Sequence, residues 1–518
     1  MTAPARLAAV TLWFVRRRLA RRLFVVQTPR APLAALAIAT ATLLATAALG
    51  PSAAVEPLPG HPPYGWHAHP SAALVTALLA VTVIAGSYGV LGCLAALKRG
   101  WALDTRRLLA AAFLATVALG LLAPVGSSDP GSYVAYGQLA ATGHDPYVVP
   151  PSALTGSYHA IAEPPWQSTT SVYGPLATGE QWVAAKIAGN GPAAPAHAVF
   201  ILGIVNALAF IVTGFLLQRL APGQAGRRRA AVFFSANPLL LFEGVSGAHI
   251  DVVVTLLVVA AIAAAVARPH SRFAGWLATF VAGVLAGAAV AIKAAAALAA
   301  AALACWSAGW LDAPPARRGS PFTGRMRTDA VRLAFFVAGA AAVLVPGYLL
   351  AGSHAFDQLR HASGFVSFAD PWRIVTHPLE SGLGHDRARA FIRVAAWVAF
   401  AIFVLLLDHG LPGRRAESPP RAVLVLTLAW LLTAPYVLPW YAIVAVAALT
   451  LLPASGFDRL LVFWIAVLAL AYLPGRQVTL PAWVHGPLDV WKSGISPVLL
   501  LATSVLAALL SLRARQQA

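Results

Sequence analysis

Charge is scarce in this sequence. Only 11% of its 518 residues are Asp, Glu, Lys or Arg and 59% are hydrophobic, whereas a soluble domain carries about a quarter charged residues. An aqueous fold of this length could not hide so much apolar surface, which excludes a soluble enzyme or binding module. Acidic residues are rarer than basic ones, 18 against 37, for a net charge of +19. The excess does not mark a nucleic-acid binder: the arginines sit in short clusters between apolar runs, without the aromatic interleaving of single-strand binders. Cysteine is almost absent. Cys93 and Cys305 each lie within an apolar run and lack metal-ligand spacing, which excludes a disulfide framework and a zinc site. The histidines show no HxxxH or HExxH spacing. No cleavage-site pattern follows the first apolar run, so the basic stretch Arg16 to Arg22 reads as a cytoplasmic flank and not as part of a removable signal.

What the sequence has is apolar length. Leu33 to Gly50, Leu74 to Leu97 and Val252 to Ala267 are each about long enough to cross a bilayer as a helix. Runs of this kind predict spans near 32–50, 71–97, 108–124, 198–217, 230–246, 250–267, 273–291, 294–311, 333–351, 389–407, 421–435, 438–453, 459–474 and 495–512. The expected fold is therefore an all-α integral membrane protein, a single polytopic helical bundle over 1–518 of about 12–14 spans. With the N-terminus inside, 28 of the 37 Lys and Arg residues fall on one set of alternating loops. That bias places both termini in the cytoplasm and makes the span count even. Two extracytoplasmic segments are then too long to be turns, 125–197 and 351–388, and loops of such length usually carry function. The first holds Trp166, Trp182 and a Pro-Pro pair, and short amphipathic helices are expected within it.

The ionisable residues that hydropathy leaves unexplained gather on that outer face. Asp129 follows the third span in Ser127-Ser128-Asp129-Pro130. A carboxylate in such a partly dry spot is expected to have its pKa raised and to serve as a base toward a hydroxyl; the plainer reading is an N-cap with Pro130 at the first helical position. Asp145 and Tyr147 lie in His144-Asp145-Pro146-Tyr147, a turn former or a second acid. Tyr133 and Tyr173 could stack on a sugar or anchor at headgroup level. Asn237 to Asp251 places Glu243, His249 and Asp251 at membrane depth, where ionisable groups are costly and face a polar cavity or a partner; the alternative is a helix hairpin with polar caps. Lys293 is a lone cation between alanine-rich helices, either snorkelling or a point charge for a phosphate. Arg373, with His354, Arg360, His361, Asp370, His377 and His385, charges the second outer segment. Trp440 and Tyr441, in Pro435-Tyr436-Val437-Leu438-Pro439-Trp440-Tyr441, either end one span and begin another or wall a sugar or polyprenyl site.

In order and spacing, Asp129 with Tyr133, His144 to Tyr147, Tyr173-Gly174-Pro175, Asn237-Pro238 through His249-Ile250-Asp251, Lys293 and Pro439-Trp440-Tyr441 together resemble the polyprenol-phosphate-mannose-dependent α-1,6-mannosyltransferases, multi-span glycosyltransferases of the GT-C fold. The resemblance implies that an acid in the first large outer loop, here Asp129, is the base. It also implies a polyprenyl-phosphate sugar donor, mannose foremost, transferred to a glycan or glycolipid acceptor outside the membrane. The cation near the donor phosphate would be Lys293 or Arg373. Membrane lipids are the surrounding partner and no nucleic acid is involved. No cofactor is called for, with room left for a divalent cation. The alternatives are a transporter or lipid flippase, which also has broken helices and buried charges, and, among enzymes, a pentosyltransferase with a polyprenyl-phosphate donor.

Overall fold

A computed structural model describes residues 29–164, 166–267, 270–309, 322–362, 364–413 and 419–516. The basic stretch Arg16 to Arg22 lies outside them. Among the described residues there is no strand, only two isolated bridges, Val55 with Val125 and Tyr64 with Leu122. The helices are α1 (Arg30–Leu49), α2 (Ala72–Lys98), α3 (Thr105–Leu121), α4 (Asp129–Ala141), α5 (Pro175–Ala188), α6 (Ala194–Leu220), the interrupted α7 (Gly223–Ser246), α8 (Asp251–Ala265), α9 (Arg272–Ile292) and α10 (Ala294–Ser307). There follow α11 (Phe322–Ala351), α12 (Asp357–Ala362), α13 (Arg373–Leu383), α14 (His385–Gly410), α15 (Pro419–Thr433), α16 (Pro439–Thr450), α17 (Gly456–Ala471), α18 (Ala482–Asp489) and α19 (Ser496–Gln516).

Among the described residues each predicted apolar segment is largely helical, yet the number of full-length crossings is smaller than expected. Seven helices among the described residues are long and apolar enough to span, or eight if α7 and α8 count as one broken span. The others fall short of the roughly 20 residues that a bilayer core requires: α3 has 17 residues, α15 has 15 and α17 has 16. The chain is thus a multi-pass, all-α membrane protein in which complete spans enclose shorter ones.

Side chains start several helices where the sequence changes from polar to apolar. Ser71, Asp104, Ser271 and Ser455 each accept a backbone N–H of the first turn, at 3.2 to 3.3 Å, satisfying donors that a helix start leaves open. Between spans, small residues permit backbone contact of the kind that drives helix pairing in lipid. Gly283 and Gly287 of α9 face the backbone of Phe336 and Ala340 in α11, and a Cβ on Gly283 would lie 2.0 Å from the Phe336 carbonyl oxygen.

One end of the bundle is closed by connecting segments bonded to one another. Val125 N–H donates to the Ser246 carbonyl at 2.8 Å, Gly174 N–H to Ile292 at 3.0 Å and Ser367 N–H to Pro435 at 2.9 Å. Arg476 adds an ion pair with Glu163 at 2.7 Å and a bond to the Ser52 carbonyl at 3.0 Å. At the other end the buried Arg229 guanidinium pairs with Asp458 (2.7 Å) and donates to the carbonyls of Leu449, Thr450 and Leu452, the frayed end of α16. Breaking a buried pair strands a charge at a cost of about 3–5 kcal/mol. Arg229→Met is therefore expected to lower the unfolding midpoint in detergent sharply, and Arg229→Met/Asp458→Leu to recover most of the loss. An unchanged midpoint in the single variant would contradict this role.

Candidate active site

The site begins with a broken helix. Asn237 and Pro238 interrupt α7: Pro238 has no N–H to give, and Asn237 Oδ1 instead accepts the Leu239 N–H at 3.0 Å. The backbone on either side is wound as π-helix, with Ala236 N–H reaching Ala231 and Gly247 N–H reaching Phe242, five residues back. Such bulges concentrate at functional sites. The chain then turns between Gly247 and Ile250, with Ala248 in the left-handed region at φ 49°, and α8 departs at 117° to α7. A side chain at Gly247 would meet the His249 ring at 2.6 Å. Asn206, in the middle of α6 and 2% exposed, holds the turn: its amide donates to the carbonyls of Gly244 and His249 at 3.0 Å each. The same two carbonyls also accept the N–H groups of His249 and Val252, at 3.1 Å each, so Asn206 adds a second donor to each and ties α6 to the turn.

The turn carries His249 to Asp129 and Asp251 to Lys293. Asp129 is the first residue of α4, its N–H bonded to Ser127 Oγ at 3.1 Å. Its carboxylate is not used as a cap. Oδ2 accepts the Tyr133 hydroxyl at 3.3 Å and lies 3.3 Å from His249 Nδ1, close enough for strong attraction although the ring N–H is not aligned for a hydrogen bond. The ring is stacked on Trp440, centroids 3.6 Å apart and planes within 15°. Lys293, in the break between α9 and α10, donates to both Asp251 oxygens at 2.8 and 2.7 Å, and its ammonium stands 3.9 Å above the Tyr441 ring centre. Tyr173 meets Tyr133 edge-on at 5.1 Å.

Asp129, 21% exposed, and Lys293 stand on the wall of a cavity of about 530 Å³. Tyr136, Trp166, Tyr173, Trp430, Tyr436, Trp440 and Tyr441 supply an aromatic lining. Leu298, Leu359, Trp397 and Phe400 form an apolar side, with the Arg393 guanidinium of α14 beside it. Burial acts to raise the Asp129 carboxyl, but the His249 ring, Lys293 and the Tyr133 hydroxyl outweigh it, and the group lies below the ordinary carboxylate value. This reverses the expectation of a raised pKa: Asp129 is ionised at neutral pH. Burial, with the charges of Asp129 and Asp251, pushes the Tyr133 hydroxyl well up and keeps it a donor.

Of the residues singled out from sequence, Asp129, Tyr173, Lys293, Trp440 and Tyr441 line the cavity, and Tyr133, His249 and Asp251 are bonded or packed against them. Four others are not brought there. Asp145 serves its own turn, accepting the Tyr147 N–H at 2.8 Å, and the Tyr147 hydroxyl is bonded to Thr178 at 2.8 Å. Glu243 is buried in the π-wound end of α7, outside the lining. Arg373 lies against Phe368, outside the cavity. Arg393 and Asn206 were not singled out from the sequence, whereas Trp166 and Tyr436 stood there only as members of an aromatic loop and a Pro-bounded motif. The detectable signal was Asn206, an amide at the centre of a 27-residue apolar helix. Among the described residues no three His, Cys, Asp or Glu side chains converge as metal ligands, so the expected room for a divalent cation has no ready-made ligand set.

Comparison with known proteins adds to this geometry. Residues 33–311 match the family described as Alpha-(1->6)-mannopyranosyltransferase, N-terminal domain; the match takes in the broken helix, Asp129 and Lys293. The chain is 27% identical over 336 residues to Alpha-(1->6)-mannopyranosyltransferase A of Mycobacterium tuberculosis, an alignment covering 62% of this chain and 60% of that relative. No solved structure matches. Matched over more than half of its length, the chain belongs to the α-(1→6)-mannopyranosyltransferase family.

Proposed function

We propose that this protein is a membrane mannosyltransferase that moves a mannosyl group from a polyprenyl-phosphate donor to a hydroxyl of a glycan or glycolipid on the extracytoplasmic side, with Asp129 as general base. One arrangement carries the reading: an ionised carboxylate, held by His249 and Tyr133, stands in the same cavity as an aromatic wall, an apolar flank and two cations. Family membership supports mannosyl transfer. The side is supported by the basic residues Arg106, Arg107, Arg219 and Arg227 to Arg229, which occupy the end of the bundle away from the cavity, as cytoplasmic flanks do.

In this mechanism the acceptor hydroxyl oxygen attacks the anomeric carbon and its proton passes to Asp129. The bond from that carbon to the donor phosphate oxygen breaks, its electron pair leaves with the polyprenyl phosphate, and the anomeric centre inverts. The aromatic rings give the sugar a stacking surface, and Leu298, Leu359 and Phe400 give the first isoprene units an apolar path. Lys293 spends two N–H groups on Asp251 and turns toward Tyr441, so Arg393, which has no carboxylate partner among the described residues, takes the role expected of Lys293 or Arg373 and meets the charge that grows on the leaving phosphate.

Membranes supplied with polyprenyl-phosphate mannose and a short α-mannoside test the assignment. Asp129→Asn is expected to lower transfer by about 10²–10⁴-fold, the usual contribution of a general base, at unchanged protein level. Undiminished transfer removes Asp129 from the role; no transfer from any lipid-linked sugar, with substrate flux across liposomes, makes the protein a transporter. A second expectation concerns pH. Because the Asp129 pKa is lowered, the base stays ionised until the pH falls through that low value, which sets the acid limb of kcat/KM. His249→Asn removes the largest lowering influence, burial prevails and the limb moves to higher pH; a limb that stays in place would show that His249 does not govern the carboxylate.

A further inference from the structure

A second cluster of charge and aromatic surface lies outside the lining of the cavity. Ser367 fixes the start of its loop, through its N–H to the Pro435 carbonyl (2.9 Å) and its hydroxyl to Tyr472. Trp372 fixes the end, with its indole N–H on the Thr433 carbonyl at 2.8 Å and its backbone N–H on Asp370 at 2.9 Å. Between them Phe368 projects outward, 55% exposed. Two cations converge on this ring, the Arg373 guanidinium 5.5 Å and the Lys492 ammonium 5.0 Å from its centre, and Lys492 also lies 5.2 Å from the Tyr472 ring.

Neither cation has a carboxylate within ion-pair distance among the described residues. Glu380 is engaged by Arg389 and His385, each at 3.0 Å. Asp489, three residues before Lys492, makes no pair with it. Asp370 lies beneath, 2% exposed, and burial pushes its carboxyl up to about 8, so at neutral pH it is largely protonated and leaves both positive charges standing. The place in the fold is also informative. α15 and α17 end here, at Thr433 and Ala471, and Lys492 lies in the π-wound stretch Val490–Ile495 of the continuous helix Ala482–Ala514, whose Trp483 is 71% exposed. Where apolar helices end and tryptophan is exposed is the level of lipid headgroups.

We infer that Phe368, Arg373 and Lys492 form a binding site for the phosphodiester headgroup of an anionic membrane lipid, separate from the cavity that holds Asp129. Two cations on one rigidly held aromatic ring favour a lipid over a free ion: the phosphate takes the charges and the glycerol and upper acyl carbons cover the exposed ring, which water would otherwise wet. The two cations stand 5.5 and 5.0 Å from the same exposed ring with no carboxylate within ion-pair distance among the described residues, so positive charge sits beside exposed apolar surface.

The test uses the purified full chain in detergent with dioleoylphosphatidylglycerol, dioleoylphosphatidylcholine and inorganic phosphate as probes, reading lipid retention by native mass spectrometry and thermal stabilisation. The wild type should retain phosphatidylglycerol in preference to phosphatidylcholine. At about 1 kcal/mol per surface cation, Arg373→Gln and Lys492→Gln should each weaken retention about fivefold and together about thirtyfold. Melting without lipid serves as the folding control, and if the double variant fails it, Arg373→Gln, which alters an exposed side chain, carries the test. Equal retention of the two lipids, or undiminished retention by a folded variant, overturns the proposal. Complete displacement of the lipid by millimolar phosphate assigns the site to a free ion and overturns it as well.

Discussion

In a bilayer every backbone polar group must find its partner inside the protein, and the turn between α7 and α8 is where this chain meets that constraint most sharply. A helix that stops at Asn237, rewinds with π-turns and reverses by Ile250 releases carbonyls that lipid cannot satisfy. Within the turn the Gly244 and His249 carbonyls take the N–H groups of His249 and Val252, the Asn206 amide adds a second bond to each and anchors the turn to α6, and Asn237 caps the restart. With the turn held, His249 is fixed by three independent contacts: its carbonyl on Asn206, its ring on Trp440 and its Nδ1 toward Asp129. Asp251, two residues on, is aimed at Lys293. The grouping of Asp129, His249, Asp251 and Lys293 is in this sense a by-product of accommodating a broken helix.

The electrostatics follow the same logic. Charge inside an apolar bundle survives where it is paired, as Arg229 is with Asp458 at one end and Asp251 is with Lys293 at the other. Asp129 differs in having a weaker set of partners, a tyrosine hydroxyl and an unaligned imidazole, and in facing open space. That combination keeps it ionised without locking it in an ion pair, which suits the proposed role of a group that accepts a proton and releases it. The unpaired Arg393 at the cavity edge and the pair Arg373 and Lys492 outside it are left to meet anions that the chain itself does not supply.

Hydropathy made the helices legible, because a run such as Leu74 to Leu97 has no other stable form in lipid. It could not tell a complete crossing from a short helix enclosed by others, since α15 and α17 are as apolar as the true spans and differ only in length. The ionisable residues Asp129, His249, Asp251 and Lys293 were visible as costly exceptions in apolar sequence, and the family resemblance ordered them. What sequence could not supply was pairing at a distance. The apolar surroundings of Asp129 argued for a raised pKa, and only the folded chain brings His249 and Lys293 close enough to reverse it. Asp145 stayed open between a turn former and a second acid because an Asp-Pro step reads the same whether or not a cavity lies beside it. Arg393 was overlooked for the opposite reason: at the outer end of a predicted span it resembled an ordinary interfacial arginine.

The central claim is that Asp129, Lys293 and Arg393 face one bound donor in one cavity. Cryo-electron microscopy of the protein with a non-transferable polyprenyl-phosphate sugar analogue addresses it directly. The account predicts the sugar against Trp440 and Tyr441 with its anomeric carbon beside Asp129, the phosphoryl group at Arg393 and the isoprene units along Leu298 and Phe400. An analogue bound elsewhere, or one whose sugar lies beyond the reach of Asp129, would contradict it.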